Sequence, residues 1–140
     1  DLLSFPTRRS SDLELCDRNT GKPIGVSFVI KFHGGTLFFW GDGIIYDGLL
    51  DTLKNYSFDY FFAPINGRDW FREKNNIVGN INVRELVGIS KELNINCLVP
   101  NHFDMFDCNT ENPEHFKFYL DKENPSQEYR ILEHGECINI

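Results

Sequence analysis

The stretch VSFVIKFHGGTLFFWGDG, residues 26–43, contains two strand patterns joined by a turn. Its first part alternates smaller or polar residues with Val26, Phe28, Ile30 and Phe32. This period of two is typical of a strand with one buried face. His33 and two glycines then supply a tight turn, and residues 36–40 form a continuous apolar run of strand length. We therefore predict a hairpin whose second strand is buried on both faces.

Strand and helix patterns alternate along the rest of the chain. Residues 47–55 carry leucines at helical spacing, and residues 58–64 have the composition of a buried strand that a proline ends. Further short strands are predicted over residues 96–99 and 129–132. Between residues 66 and 82 the chain is rich in Asn, Gly and Arg, and a loop of this length is often functional.

Capping residues mark the start of two further helices. Asn82 is suited to accept a backbone hydrogen bond as the N-cap, while Glu85 reaches back to it. Asn112 and Pro113 supply a cap and a first-turn proline for the last helix. The predicted buried faces consist of Leu86, Ile89 and Leu93 in one helix and Phe116 and Leu120 in the other. Alternating strands and helices indicate a single α/β domain.

Composition excludes several classes of function. The chain has 140 residues, 41% of them hydrophobic, and a formal net charge of −7, so we expect a soluble domain and no binding to nucleic acid. No apolar run approaches the roughly 20 residues that span a bilayer, so no membrane contact is expected. The four cysteines show no CxxC spacing, which argues against a zinc ribbon or a redox pair and favours a reducing, cytoplasmic setting.

The first 13 residues differ in character from the rest. Residues 4–13, SFPTRRSSDL, have neither the apolar face of a transit peptide nor the apolar core of a signal peptide. The DNA string TCT TTC CCT ACA CGA CGC TCT TCC GAT CT encodes them, and it resembles the end of a common sequencing-library adapter. We therefore interpret residues 1–13 as a cloning or assembly scar, with the domain in residues 14–140 and its true start lost.

Two polar side chains follow predicted strands directly. Asp42 comes after the strand that ends at Trp40, and His102 after the strand that ends at Val99. In layered α/β folds, ligand-binding side chains converge at strand ends. A carboxylate and an imidazole there are suited to a divalent metal, and a carboxylate has lone pairs for two ions. The alternative to metal binding is that Asp42 only forms a turn by bonding its own backbone and that His102 is an ordinary polar loop residue.

Three segments together resemble the L-ascorbate-6-phosphate lactonase family of the metallo-β-lactamase superfamily: TLFFWGDG, FFAPINGRDWFREKNNIVGNINVRE and CLVPNHFDMFDCNTENPEHF. The similarity covers residues 26–135 and matches the C-terminal half of that family. It implies the C-terminal half of an αββα sandwich, truncated here. Asp42 corresponds to the family's metal-bridging aspartate and also has a catalytic role, and His102 corresponds to its last histidine ligand. The HxHxDH motif that supplies most other ligands is absent from this sequence.

The resemblance implies hydrolysis of a phosphorylated sugar lactone with a pair of divalent metals, manganese or zinc. Paired cations provide a water of lowered pKa and polarise the carbonyl that it attacks. Two ligands are too few to hold such a pair, so we expect this chain to be an inactive fragment of the enzyme. The alternatives are a non-catalytic or degenerate module of the same fold and a hydrolase of another phosphorylated ester; homo-oligomer formation stays open.

A phosphorylated substrate needs a cationic partner. Arg68 is the first candidate, because guanidinium binds phosphate bidentately, and Arg72 is the second. The alternative for Arg68 is a surface ion pair with Asp69 or Glu73. Further candidates are Asn66, Asn76 and Asn80 for substrate contacts, Asp104 for orienting His102, and Trp70 and Phe71 for either the pocket wall or the core.

Overall fold

The computed structural model describes residues 1–7, 17–23, 25–77 and 79–139. Six strands form one sheet in the order β1-β2-β3-β4-β5-β6. The strands are β1 (Leu2–Thr7), β2 (Gly25–Phe32), β3 (Gly35–Phe39), β4 (Ser57–Pro64), β5 (Asn94–Asn101) and β6 (Glu128–Tyr129). The helices are α1 (Leu49–Leu53), α2 (Trp70–Lys74), α3 (Val83–Glu92) and α4 (Pro113–Glu123).

The predicted hairpin and the predicted α/β order are both confirmed. β2 and β3 pair antiparallel across the turn at His33 and Gly34. β3, β4, β5 and β6 are parallel neighbours, with at least one helix between consecutive strands. Parallel strands require such crossover connections. No helix of the described chain is long and apolar enough to cross a membrane.

The core is built on one face of the sheet. Its central row runs across four strands through Val29, Phe38, Phe61 and Leu98, which are paired in register. All four side chains are fully buried. They belong to one cluster with apolar residues of all the helices except α2, whose described residues have none buried.

The opposite face of the sheet is partly open. Phe28 pairs with Phe39, and Phe39 with Phe62; Phe39 is 39% exposed. The prediction that the second strand is buried on both faces is therefore wrong at this residue. Val26 and Ile30 of β2 lie on the same face and are 38% and 37% exposed. The face predicted to be buried in β2 is therefore wrong, since the helices cover the other face, which carries Val29 and Phe38.

The structure confirms both predicted helix caps. The Asn82 side chain accepts from the Glu85 backbone N–H, and the Glu85 carboxylate accepts from the Asn82 backbone N–H. Asn112 caps α4 with Pro113 in its first turn. The long loop over residues 66–82 was expected to lack regular structure, but it contains α2, capped by Asp69.

β1 lies within the segment that we interpret as a scar. It pairs antiparallel with β2, Leu2 opposite Ile30 and Ser4 opposite Phe28. Residues 8–16 lie outside the described residues. Backbone hydrogen bonds at a sheet edge require no particular sequence, so this pairing does not bear on the origin of the segment, and the scar stays a prediction.

Candidate functional site

Asp42 and His102 lie at the same edge of the sheet. Asp42 follows β3 and His102 follows β5, and both strands run parallel to β4 between them. Their C-terminal ends therefore point in one direction. Nδ1 of His102 is 3.3 Å from Oδ1 of Asp42, so the fold brings together the two side chains that the sequence suggested as metal ligands.

Unusual backbone conformations place both side chains. Gly41, just before Asp42, has φ +72°, where a side chain would be strained. His102 itself adopts φ 57°, in the left-handed region that few non-glycine residues occupy. This conformation costs about 1–3 kcal/mol and is found preferentially at functional sites.

The separation of the two donor atoms suits a shared cation. At 3.3 Å it exceeds the usual range of an N–H···O hydrogen bond. Two ligands of one ion, each bonded at about 2.0–2.2 Å, lie roughly 3 Å apart. The His102 side chain is 27% exposed and that of Asp42 is 54% exposed, so both remain accessible. An imidazole nitrogen and a carboxylate oxygen fit a borderline or hard divalent ion.

The donor set is incomplete within the described residues. No group of three or more His, Cys, Asp or Glu side chains suited to a metal occurs in residues 1–7, 17–23, 25–77 and 79–139. A divalent ion takes four or more donors. Asp42 and His102 alone are therefore too few to hold such an ion.

A cleft of about 450 Å³ opens at this edge of the sheet. It is lined by Asp42, Asn66, Ile77, Asn80, His102, Met105, Phe106, Cys108 and Asn109. The lining combines one carboxylate, one imidazole and three amides with an apolar wall. No Lys or Arg is among these lining residues.

Arg68 is held away from the cleft lining by an ion pair. Its Nη1 and Nη2 donate to the Glu85 carboxylate at 2.8 and 2.7 Å, and Nη1 also donates to the Asn80 carbonyl at 3.0 Å. The hydrogen bond to Glu85 raises the pKa of Arg68, against the effect of burial. The observed carboxylate partner is thus Glu85, 17 residues along the chain, in place of Asp69 or Glu73.

Arg72 contacts two residues of the cleft lining. Its Nη1 donates to the Asn66 carbonyl and, at 2.9 Å, to Oδ1 of Asn109. Nε donates to Asp69. The Asn66 side chain lies in the lining, as a predicted binding residue should, but its amide is engaged: Nδ2 donates to Asn109 at 3.0 Å and Oδ1 accepts from Asn80 at 2.9 Å.

The remaining candidates lie elsewhere. Asp104 is exposed, and the hydrogen bonds of the described residues include none from it to His102. Trp70 and Phe71 are 71% and 63% exposed on α2, so the core-packing alternative is wrong, and neither lines the cleft. Asn76 adopts φ 56° at a turn after α2.

Sequence reasoning missed the apolar wall and the third amide. Met105, Phe106 and Asn109 follow β5 in the loop that begins with His102. The unusual composition of HFDMFDCNT was visible in the sequence. The sequence did not show which residues of this loop face the cleft, because the loop has no periodic pattern.

No protein-family model matches this sequence, and no curated protein matches it either. Solved structures match the fold. Igni18, a metallo hydrolase from the archaeon Ignicoccus hospitalis, has a TM-score of 0.70 at 18% identity, over 96% of this chain and 50% of its own. YhfI, a metallo-β-lactamase fold protein from Bacillus subtilis, has a TM-score of 0.65 at 14% identity, over 96% and 47%. CmlA, a diiron β-hydroxylase from Streptomyces venezuelae, has a TM-score of 0.61 at 9% identity, over 94% and 30%.

At these identities the likeness concerns the fold. The chain has the α/β arrangement of metallo-β-lactamase fold proteins, as the sequence predicted, and it spans about half the length of Igni18 and YhfI. CmlA is a hydroxylase, so this fold serves more than one reaction. The reaction therefore depends on the residues of the site and not on the fold.

Proposed function

We propose that this chain supplies Asp42 and His102 to the divalent metal centre of a hydrolase. The observation that carries the proposal is the 3.3 Å separation of their donor atoms beside an open cleft. When bound, a pair of divalent ions supplies a water of lowered pKa and polarises the scissile carbonyl. Asp42 would hold the ions through its carboxylate oxygens and His102 through an imidazole nitrogen.

The substrate that we propose is a phosphorylated sugar lactone, L-ascorbate 6-phosphate or a close analogue, hydrolysed in the cytoplasm with manganese or zinc. The support is the resemblance of three long segments to the lactonase family. Arg72 is the better placed of the two arginines for the phosphate, because it contacts Asn66 and Asn109 in the cleft lining. Arg68 would first have to release Glu85.

We further propose that the chain alone is inactive and forms one part of the enzyme. Two donors do not hold two ions that each take at least four. The rival is a non-catalytic module of the same fold. Metal binding distinguishes these two hypotheses, because a non-catalytic module without a metal role is not expected to bind a metal ion through Asp42 and His102.

The first experiment measures Mn²⁺ binding to the chain by EPR of the free ion. We expect weak binding that falls at least about 10-fold in Asp42→Ala and in His102→Ala. His115→Ala is the matched control, since His115 also faces a carboxylate, Glu111, at 2.8 Å but on an exposed helix start. Unchanged binding in both site variants, or no binding by the parent chain, contradicts the metal role.

The second experiment addresses the substrate. A longer gene product that contains these residues should open L-ascorbate 6-phosphate faster than the unphosphorylated lactone. Arg72→Ala should reduce kcat/KM for the phosphorylated lactone about 10-fold or more beyond any loss for the unphosphorylated lactone, because a lost charge-assisted contact to phosphate acts on the phosphorylated substrate only. Equal losses on both substrates would remove Arg72 as the phosphate partner.

A further inference from the structure

The Asn80 side chain makes three hydrogen bonds near Asp42. Its Oδ1 accepts from the Gly43 backbone N–H at 2.7 Å. Its Nδ2 donates to Oδ1 of Asp42 at 3.0 Å and to Oδ1 of Asn66 at 2.9 Å. Because a backbone N–H can only donate, the amide oxygen must face Gly43, and the NH₂ group must therefore face the carboxylate.

The backbone of Asn80 is also fixed. Its N–H donates to the Gly67 carbonyl at 3.0 Å, and its carbonyl accepts from Arg68 at 3.0 Å. Only 2% of the residue is exposed. A buried amide in this position is rigid, since any rotation would leave polar groups unsatisfied.

A chain of hydrogen-bonded amides extends from Asn80 to the guanidinium group of Arg72. Asn66 donates to Oδ1 of Asn109, and Arg72 donates to the same oxygen. We call Asn80, Asn66 and Asn109 the amide chain. Asn80 and Asn66 follow β4, Asn109 follows β5, and the bonds from Asn80 to Gly43 and Asp42 add the segment that follows β3. Asp42 on a half-exposed loop thereby becomes tied to the ends of all three strands.

We propose that Asn80 is the positioning residue of Asp42, and that the amide chain holds the carboxylate in the orientation that binds metal. The inference rests on the proposed metal centre. It assigns Asn80 a role through Asp42, in place of a direct contact to substrate. Residues that orient metal ligands typically change metal affinity 10- to 100-fold when mutated.

One test needs no metal. The side-chain NH₂ resonances of Asn80 are followed by ¹H–¹⁵N NMR in the parent chain and in Asp42→Ala, a variant at an exposed position. We expect a large shift and faster solvent exchange for Asn80, and no change for Asn124, whose NH₂ bonds Ser90 far from the site. Unchanged Asn80 resonances overturn the proposal.

The second test is a double-mutant cycle on Mn²⁺ affinity. Asn80→Ala should weaken binding about 10-fold in the parent chain and have no further effect in the Asp42→Ala background. Asn124→Ala is the control for a general loss of stability. Full affinity in Asn80→Ala, or equal losses in both backgrounds, overturns the proposal.

The two proposals fail differently. Absence of Mn²⁺ binding by the parent chain rejects the proposed function, while the NMR comparison still decides whether Asn80 orients Asp42. If Asn80→Ala does not fold, the same comparison decides the matter with Asp42→Ala alone.

Discussion

Glu85 binds both terminal nitrogens of Arg68, and it does so while its carboxylate also accepts from the Asn82 backbone N–H. The capping box at the start of α3 is thereby joined to the loop after β4. Burial opposes ionisation of Glu85, but the hydrogen bonds from Arg68 and Asn82 and the guanidinium charge hold the pKa of its carboxyl below the ordinary value.

Glu85→Gln should lower the free energy of unfolding by about 1–3 kcal/mol at pH 7, because it removes a charge-assisted bidentate contact. Because the pKa of Glu85 is lowered in the folded state, its contribution to stability is present above the unfolded-state pKa of about 4.3. This contribution is lost as the pH falls through the folded-state pKa. The parent should thus lose more stability than the variant in that acid range. Urea unfolding at pH 7 and below pH 4 checks both statements.

Glu92→Gln provides the control for this ion pair. Glu92 contacts Lys54 at 3.2 Å, but both side chains are about half exposed, so the change should stay within about 0.5 kcal/mol. Equal effects at Glu85 and Glu92 would contradict the structural role of the Arg68 pair.

Gly79→Ala should destabilise the chain by about 1–3 kcal/mol, since a Cβ at Gly79 would lie 2.2 Å from the Cβ of Arg68 and 2.9 Å from its Cα. The crowded neighbour includes backbone and has no easy way to move. Gly88→Ala is the matched substitution, because a Cβ at Gly88 meets nothing within 4 Å. In a helix, alanine in place of glycine should raise the free energy of unfolding by about 0.5–1 kcal/mol. Thermal unfolding of both variants measures the difference, and a stabilised Gly79→Ala would refute the close contact.

Cys97 should resist alkylation in the folded chain. Burial is the main cause that raises the pKa of its thiol, and the thiolate is the reactive form. Cys108 and Cys137 are exposed and should react at least about 10-fold faster. Peptide mass spectrometry after brief iodoacetamide treatment gives the rates, with urea-unfolded chain as the reference in which all three should react alike.

The open face of the sheet should make the isolated chain self-associate. Phe39→Glu should raise solubility and reduce binding of a hydrophobic dye, because Phe39 lies beside Phe28 and Phe62 on one apolar surface. Phe118→Glu is the control, since Phe118 is a more exposed aromatic on α4. Light scattering against concentration checks this; a monodisperse parent chain, or an equal effect of both variants, would contradict it.

The sequence alone determined what is decided over a few residues. The strand β2, the glycine turn, and the caps at Asn82 and Asn112 depend on neighbours within one turn or one strand, and the structure confirms each of these elements. The period of two did not decide which face of β2 is buried, because Val29 lies in the core while Val26 and Ile30 are exposed. Asp42 and His102 could be selected as candidates for a similar reason: each directly follows a strand pattern, and parallel strands place their ends together. The short helix α2 escaped prediction because five residues are too few to show a helical period.

Only the tertiary structure decided which distant groups meet. Adjacent residues in β3 have opposite environments, Phe38 in the core and Phe39 at the open face, and a continuous apolar run does not reveal which face the helices cover. Likewise, Arg68 finds Glu85 in preference to nearer acids, and Asn80 reaches Asp42, 38 residues away. Such pairings depend on how loops cross at the sheet edge, where the cost of closing each loop and the need to satisfy buried polar groups select the partners.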